Sequence, residues 1–521
     1  MKFLLVAINS KYIHSNPAVY SLKAYAGASY EEELVIKEYT INQRTEEILA
    51  SIYEENPDYI GFSSYIWNWK TITELLSEIP KILPKVGVFL GGPEVCSKNE
   101  EIFERFSNVK ALIIGEGEAT FKEVVSICHD GNESRLKSVK GLLLADGFTG
   151  ERESLDMDEV PFFYESESLD GFENRILYYE SSRGCPFRCS YCLSAIEKTT
   201  RLKDFDIVKK ELDFFLRNKV RQVKFIDRTF NANHEHACSI WKYITENDNG
   251  VTNFHFEIAA DIMTEEEIEL ISSMRPGLVQ LEIGVQSTNE KALKAVNRYA
   301  DMKHIKEVVE KLLQKHTAHI HLDLIAGLPY EDYESFKKSF NEVFLMHPDQ
   351  LQLGFLKVLK GAPIEKEAEE FGIKYLSAPP YEVLETKWIS YKELVILKKV
   401  EQMLETYYNS AQFTKALPFL LDKFDTPFDF FFSLSEYYLK KEYFSKSPAR
   451  SKRYEILLEF AEEEFGNYVK EELRKELTVD YYLREKPKSK PDFVREIPMN
   501  IKFDYEHRNP ITYNATIGEN T

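Results

Sequence analysis

The feature that most narrows the possible folds is a double run of alternating strand-like and helix-like segments. Over residues 1–130 the apolar strand candidates KFLLVAI, ELVIKEY, DYIGFSSYI, VGVFLGG and ALIIGEG are separated by helix-like stretches such as NQRTEEILASIYEE and WKTITELLSEIPKIL. Strands that are apolar almost throughout, joined by helices, predict a parallel sheet covered on both faces. The expected class is α/β, opening with a doubly wound parallel-sheet domain. In such sheets ligands meet the carboxyl ends of the strands. That places Ser63 and Ser64 of SSYIWN, Gly91 and Gly92 of GGPEVCS, and Gly115, Glu116, Gly117, Glu118 and Thr120 of GEGEATF on one candidate binding edge. Small residues there let the backbone approach a bulky ligand. GGPE by itself would read as a tight turn; three such loops on one edge read as a binding face.

Residues 131–174 read as a linker with a hairpin, SVKGLLLADGFTGERESL, followed by an acidic stretch around Pro161. A second series begins at RILYYESSRG and continues through VRQVKFID, FHFEIAAD, LVQLEIGVQS, HIHLDLIAGLP and QLQLGFLKV. Six βα units over 175–370 predict a (β/α)6 partial barrel, with its chemistry on the loops after the strands. Over 371–483 the pattern turns helical: Leu397, Val400, Leu404 and Tyr407 share one helix face. This helical C-terminal domain is expected to line or cover the site. Residues 484–521, with the basic stretch REKPKSKPDF, read as an extended tail.

Composition removes several classes. The net charge of −20 argues against a nucleic-acid partner, which needs a local excess of Lys and Arg. No run of about 18 uncharged apolar residues suggests a membrane span. FLLVAI near the start reads as a buried strand rather than the core of a signal peptide. Six cysteines in 521 residues, without an export signal, predict a cytoplasmic protein without disulfides.

Three of those six cysteines, Cys185, Cys189 and Cys192, lie in SSRGCPFRCSYCLSA, directly after the first strand of the second series. Three thiolates on one loop can hold zinc or an iron–sulfur cluster. Structural zinc wants a fourth ligand, and the closest candidates are His234, His236 and Cys238 of NANHEHAC, where the two histidines read as exposed residues opening a helix. A four-iron cluster held by three cysteines leaves one iron open to a substrate or cofactor. Cys96, Cys128 and Cys238 are scattered and form no second motif.

The spacing C-x3-C-x2-C on this loop, with the barrel pattern over about 175–360, resembles the radical S-adenosylmethionine (SAM) superfamily. The resemblance implies a 4Fe-4S cluster whose open iron binds SAM and cleaves it to methionine and a 5′-deoxyadenosyl radical. It implies that Tyr191 packs near the adenine. Where the family often has Gly-Gly-Glu for the SAM amino group, FIDRTFN offers Asp227, with Arg228 beside it. In EIGVQS, Glu282, Gln286 and Ser287 are the implied contacts to the ribose or carboxylate, and LIAGLPYED resembles the family's Gly-Leu-Pro turn.

The first domain resembles the cobalamin-binding domains of class B radical SAM methylases, through SSYIWN, GGPEV and GEGEATF. One departure stands out. The loop NSKYIHSNPAVYSL contains no Asp-x-His-x-x-Gly motif, so His14 is expected to be a loop residue and no histidine to ligate cobalt from below. The resemblance implies methylation of an unactivated carbon in an unknown small-molecule or peptide substrate, with an electron donor such as flavodoxin or ferredoxin. Two alternatives stand beside it. One is a cobalamin-binding enzyme that rearranges, cyclises or oxidises without methylating. The other is a B12 or iron–sulfur sensor, or a partner-docking protein, that turns nothing over. A methylthiotransferase of tRNA would carry further cluster cysteines and a basic RNA-binding module, which this sequence lacks.

Overall fold

The structure is a computed structural model that describes residues 1–97, 100–167, 169–197, 199–484 and 491–494. Most of the expected tail, 484–521, therefore lies outside the described residues. The first sheet contains β1 (Phe3–Asn9), β2 (Leu34–Thr40), β3 (Tyr59–Ser63), β4 (Gly87–Gly91) and β5 (Val109–Ile113), all parallel, followed by β6 (Leu142–Leu144) and β7 (Gly147–Phe148). Its order is β2-β1-β3-β4-β5-β6-β7. All seven residues of β1 are buried because the sheet is covered on both sides. Leu4, Val6 and Ile8 join a core with Ile72, Leu75 and Leu76, while Phe3, Leu5 and Ala7 join another with Val19, Phe121 and Val124. Each fully buried side chain of this size contributes about 1.5–3 kcal/mol over leaving it in water. The hairpin expected within the linker extends the sheet, β6 pairing antiparallel with β5. It thereby closes an edge that would otherwise offer unpaired backbone groups.

β9 (Ser182–Arg183) and β10 (Arg201–Leu202) form a separate antiparallel ladder, and the second sheet comprises β8 (Leu177–Tyr179), β11 (Gln222–Phe225), β12 (Asn253–Ile258), β13 (Val279–Gln286), β14 (Ala318–Ala326) and β15 (Gln350–Phe355). Its order is β15-β14-β13-β12-β11-β8, and every pairing is parallel. Along β13 and β14 burial alternates strictly. Leu281, Ile283, Leu322 and Leu324 belong to the apolar core. The intervening positions are Gln280, Glu282, Gly284 and Gln286, and His319, His321, Asp323 and Ile325, all polar or small but the last. Period-two alternation puts these on the opposite face of the sheet, so that face is polar and part of it remains open to ligands.

The C-terminal region is helical, as its periodicity predicts. The helix Tyr391–Leu404 opens with a capping box of Ser390 and Glu393 and runs into a π turn over Glu405–Asn409. Its position corrects the expectation that it lines the site: no residue of 371–484 lines either of the cavities described below. It packs instead behind the barrel, Phe428 and Phe431 lying against Phe340 and Phe344. Asn409 covers the exposed edge of β15, its amide donating to Leu351 O at 2.9 Å and accepting from Leu351 N at 3.0 Å. Among the described residues no helix is long and apolar enough to cross a membrane.

Candidate functional site

The three-cysteine loop is built from its ends inward. Asp227, at the end of β11, accepts from the Ser181 amide at 3.0 Å and from the Ser181 and Ser182 hydroxyls at 2.6 Å each. Gly184 follows at φ +93°, where an added Cβ would stand 2.1 Å from Thr199 O, so the turn into the loop requires glycine. In the middle, the Ser190 amide donates to Val296 O and its carbonyl accepts from the Ile364 amide. Cys185 and Cys189 are buried and Cys192 is half-buried. Cys185 Sγ lies 3.5 Å from Thr229 Oγ1, and Arg298 Nη1 lies 3.8 Å from Cys189 Sγ. Tyr191 sits with Cys189 and Arg298, and burial pushes its phenol up.

Beside this loop, at the carboxyl ends of the barrel strands, is a small polar cavity of about 130 Å³. Glu257, Glu282, Gln286, Arg298 and Asp323 line it, with Phe187 of the cysteine loop. Gln286 Oε1, Asp323 Oδ1 and Arg298 Nε are buried there without a hydrogen-bond partner. Such groups are costly unless a ligand or water satisfies them. Burial, reinforced by Glu282 and Glu257, pushes the Asp323 carboxyl up to about 8. Glu282 goes the other way. Burial opposes its ionisation, but the hydrogen bond from His255 and the charge of Lys224 draw it down to about 2.

A larger cavity of about 960 Å³ lies between the two sheets. From the first sheet come Ser63, Gly91, Gly92, Gly115 and Gly117, and from the barrel side Arg183, Gly184, Leu193, Ile226 and Arg228. Gly92 holds φ +103° with its would-be Cβ 2.6 Å from Ser64 O, and Gly115 holds φ +82° with open space where a Cβ would stand. Arg228 borders both cavities.

Several residues picked out in the sequence face elsewhere. Asp227 is 1% exposed and lines neither cavity; its oxygens support the cysteine loop instead of meeting a ligand. Ser287 is buried and donates to Glu331 Oε1 at 2.5 Å, turned away by the positive φ of Gln286 before it. Thr120 hydrogen-bonds Lys140 O and receives Arg152, and neither it nor Ser64 reaches the cavity wall. Glu116 and Glu118 do border the large cavity, but their carboxylates pair with Arg201 and Arg183 across the domain boundary. His14 Nδ1 stands 2.6 Å from Tyr178 Oη, a loop histidine bridging to the barrel. His236, expected at the surface, is buried with Nε2 3.0 Å from Ser181 Oγ. It cannot join His234 and Cys238 in a common set with the loop cysteines.

Other site residues carried no sequence signal. Arg298 stands 109 positions beyond Cys189 in a stretch without a motif, and Asp323 is one polar residue in an alternating strand. Only the lateral stacking of parallel strands brings them to the loop. Arg183 was legible as a neighbour of Cys185, but its pairing with Glu180 at 2.9 Å and Glu118 at 2.6 Å was not. Burial pushes the Glu180 carboxyl up to about 7, while Arg183 pulls against that shift.

Residues 4–125 match the family model described as B12 binding domain, 179–343 that of the radical SAM superfamily, and 369–519 a protein of unknown function, DUF4080. The chain is 24% identical over 350 residues to the cobalamin-dependent radical SAM methyltransferase TokK of Streptomyces tokunonensis, covering 61% of this chain and 50% of that one. It is 25% identical over 367 residues to a 2-(S-pantetheinyl)-carbapenam-3-carboxylate methyltransferase of Streptantibioticus cattleyicolor, covering 64% and 51%. The chain thus matches about half the length of these curated relatives. Among solved structures, the cobalamin-dependent S-adenosylmethionine radical enzyme OxsB, with aqua-cobalamin and S-adenosylmethionine bound, superposes with a TM-score of 0.62 at 15% identity, covering 92% of this chain and 78% of that one. That likeness establishes the fold.

Proposed function

We propose that this chain, a radical SAM protein with a B12-binding domain before the barrel and a DUF4080 domain after it, is a cobalamin-dependent radical SAM enzyme that methylates an unactivated carbon of a small molecule or peptide. The observation that carries the reading is the shared cavity: the glycine loops of the first sheet and the start of the cysteine loop border one space of about 960 Å³. A substrate carbon held there would be within reach of groups bound to either domain.

The residues present fit the groups this reading needs. Cys185, Cys189 and Cys192 would hold three irons of a 4Fe-4S cluster, leaving the fourth for SAM. The buried, unpartnered Gln286 Oε1, Asp323 Oδ1 and Arg298 Nε would meet the polar parts of SAM in the small cavity. Gly115 leaves space for a corrin ring against the sheet edge, while Gly92 lets its loop pack onto the Ser64 backbone. When bound, these groups supply reductive cleavage of SAM to a carbon radical and carriage of a methyl group on cobalt. The chain's own part is positional. Arg298 places positive charge beside the Cys189 sulfur, Asp227 holds the loop's first turn, and Arg183 fixes the two domains around the substrate space. A one-electron carrier such as flavodoxin or ferredoxin would supply the reductant in a cytoplasmic setting.

The test is anaerobic incubation of the reconstituted protein with SAM, reductant and cobalamin, assaying both nucleoside products against a Cys185, Cys189 and Cys192 to Ala variant. S-adenosylhomocysteine together with 5′-deoxyadenosine supports the methylase. Deoxyadenosine alone moves the reading to a rearrangement, cyclisation or oxidation. Neither product, from protein with its full iron content, leaves two explanations, a sensor or an enzyme silent without its substrate.

A further inference from the structure

We propose that Arg228 receives a carboxylate of the substrate, so that the compound this chain acts on is a carboxylic acid held at the junction of the two cavities. The inference rests on the reading of the shared cavity as the substrate space and adds the chemical class which that space selects.

Position is the first observation. Arg228 borders both the large cavity between the sheets and the small polar cavity beside the cysteine loop, and among the described residues it alone is common to the two linings. A molecule reaching from the first sheet towards the cysteine loop therefore passes its side chain. The backbone is fixed on either side of it. Asp227 is anchored to the Ser181 and Ser182 hydroxyls, and Thr229 Oγ1 lies 3.5 Å from Cys185 Sγ. Slightly further on, the Asn231 amide exchanges two hydrogen bonds of 2.9 Å with the Ala259 backbone.

The second observation is that the guanidinium is uncommitted. The other basic residues of the large cavity each have a carboxylate partner: Arg152 has Glu123 at 2.6 Å, Arg183 has Glu118 at 2.6 Å, and Lys203 has Glu211 at 2.9 Å. In the small cavity Arg298 donates to Gly284 O. Arg228 is exposed and, among the described residues, makes no hydrogen bond and no ion pair. The carboxylates around it are already taken, Glu180 by Arg183, and Glu257 and Glu282 by Lys224.

A free guanidinium presents a planar fork of N–H donors that matches two oxygens of one oxyanion. The surrounding charge selects among oxyanions. Glu180 borders the large cavity, and Glu257 and Glu282 border the small one. One added positive charge among them balances one added negative charge. A carboxylate meets that condition, whereas a dianionic phosphate would leave a charge unanswered beside those acids. Tyr65 lines the large cavity from the first sheet and feels the Arg228 charge, so a carboxylate seated between the two meets a phenol as well.

The experiment labels free guanidinium groups with phenylglyoxal in the full-length chain, reconstituted with its cluster and loaded with cobalamin and SAM, and maps the adducts by peptide mass spectrometry. Benzoate is the carboxylate probe, benzamide its uncharged counterpart, and inorganic phosphate the dianion. Arg221, exposed at the other end of β11, is the internal control. Benzoate should slow the labelling of Arg228 about tenfold or more while Arg221 keeps its rate, because charge-assisted bonds carry the affinity. Benzamide and phosphate should slow neither. Arg228→Met should bind cobalamin and SAM as tightly as wild type in equilibrium titrations. Equal protection by benzamide or phosphate, or no protection by benzoate, overturns the proposal. So does an Arg228 that phenylglyoxal, a reagent the size of benzoate, cannot reach in the loaded enzyme. Weaker cobalamin or SAM binding by Arg228→Met also overturns it, by assigning the guanidinium to a cofactor. A wild-type chain that takes up neither cobalamin nor SAM fails the wider reading instead, and the same labelling on the cluster-loaded chain then decides the role of Arg228 separately.

Discussion

Arg183 Nη2 lies 2.6 Å from Glu118 Oε1, joining the strand that leads into the cysteine loop to the last ligand-facing loop of the first sheet. Both side chains are largely buried, and Glu180 at 2.9 Å and Glu116 at 3.6 Å complete a cluster of three carboxylates around one guanidinium. Removing the guanidinium leaves those carboxylates facing one another. Arg183→Met is therefore expected to cost about 3–5 kcal/mol, against about 1.5–3 kcal/mol for Glu118→Gln, measured by guanidinium unfolding. The pH dependence has a definite sign. Burial opposes ionisation of Glu118, but Arg183 holds its carboxyl below the ordinary value of 4.5. Its contribution is present above that value and lost as pH falls through the lower folded one. Equal stabilities for the two variants would show that the cluster carries no such weight.

Asp227 receives three hydrogen bonds from the two residues that open the cysteine loop. Asp227→Ala orphans those donors, at about 1–3 kcal/mol each where they stay buried. The variant should unfold at lower denaturant and retain less iron per chain after reconstitution. Full iron content with unchanged stability would mean that the loop holds its shape without the carboxylate.

His321 lies inside the barrel with Nε2 3.2 Å from Gln280 Nε2. Burial, with His319 and His255 nearby, lowers its imidazole from 6.5 to about 3. The unfolded chain takes up this proton first, so stability should fall as pH drops from about 6.5 towards 3, by on the order of 5 kcal/mol in total. His321→Gln should flatten that slope in a pH series of unfolding curves. A variant whose curve runs parallel to the wild type would assign the slope to other groups.

The Asn409 side chain serves β15 as a substitute neighbouring strand. Asn409→Ala removes both bonds and leaves an amide and a carbonyl of the edge unpaired. A loss of about 2 kcal/mol is expected, together with concentration-dependent association through the freed edge. Size-exclusion chromatography beside denaturant titration reads both; a monomer of unchanged midpoint would contradict this role.

Much of the architecture was legible in the order of residues. KFLLVAI reads as a strand buried on both faces, and it is buried throughout as β1. The spacing of Leu397, Val400, Leu404 and Tyr407 predicts one helix face, and all four are fully buried. The loop cysteines lie where the second βα series begins, directly after β8. These are short-range properties: a helix or strand period repeats within a few residues, and three thiols on one loop need no distant partner.

What the sequence could not supply was the identity of each polar group's partner. Asp227, Glu116 and Glu118 look like ligand contacts because they stand at the ends of strands, yet serines and arginines from other segments take their oxygens. His236 reads as exposed in a helix-opening stretch, but the helix sets one face against Ser181 and turns His234 and Cys238 outward. The helical domain could have closed over the cavity as readily as it backs the barrel, since an apolar face by itself does not name the surface it buries. The sequence by itself determined the periodic elements and the cysteine loop, because backbone geometry and side-chain spacing act locally. Only the tertiary structure decided which charges meet, which polar atoms stay unpaired, and which edge is covered, because those depend on strands stacked laterally from segments tens to hundreds of residues apart.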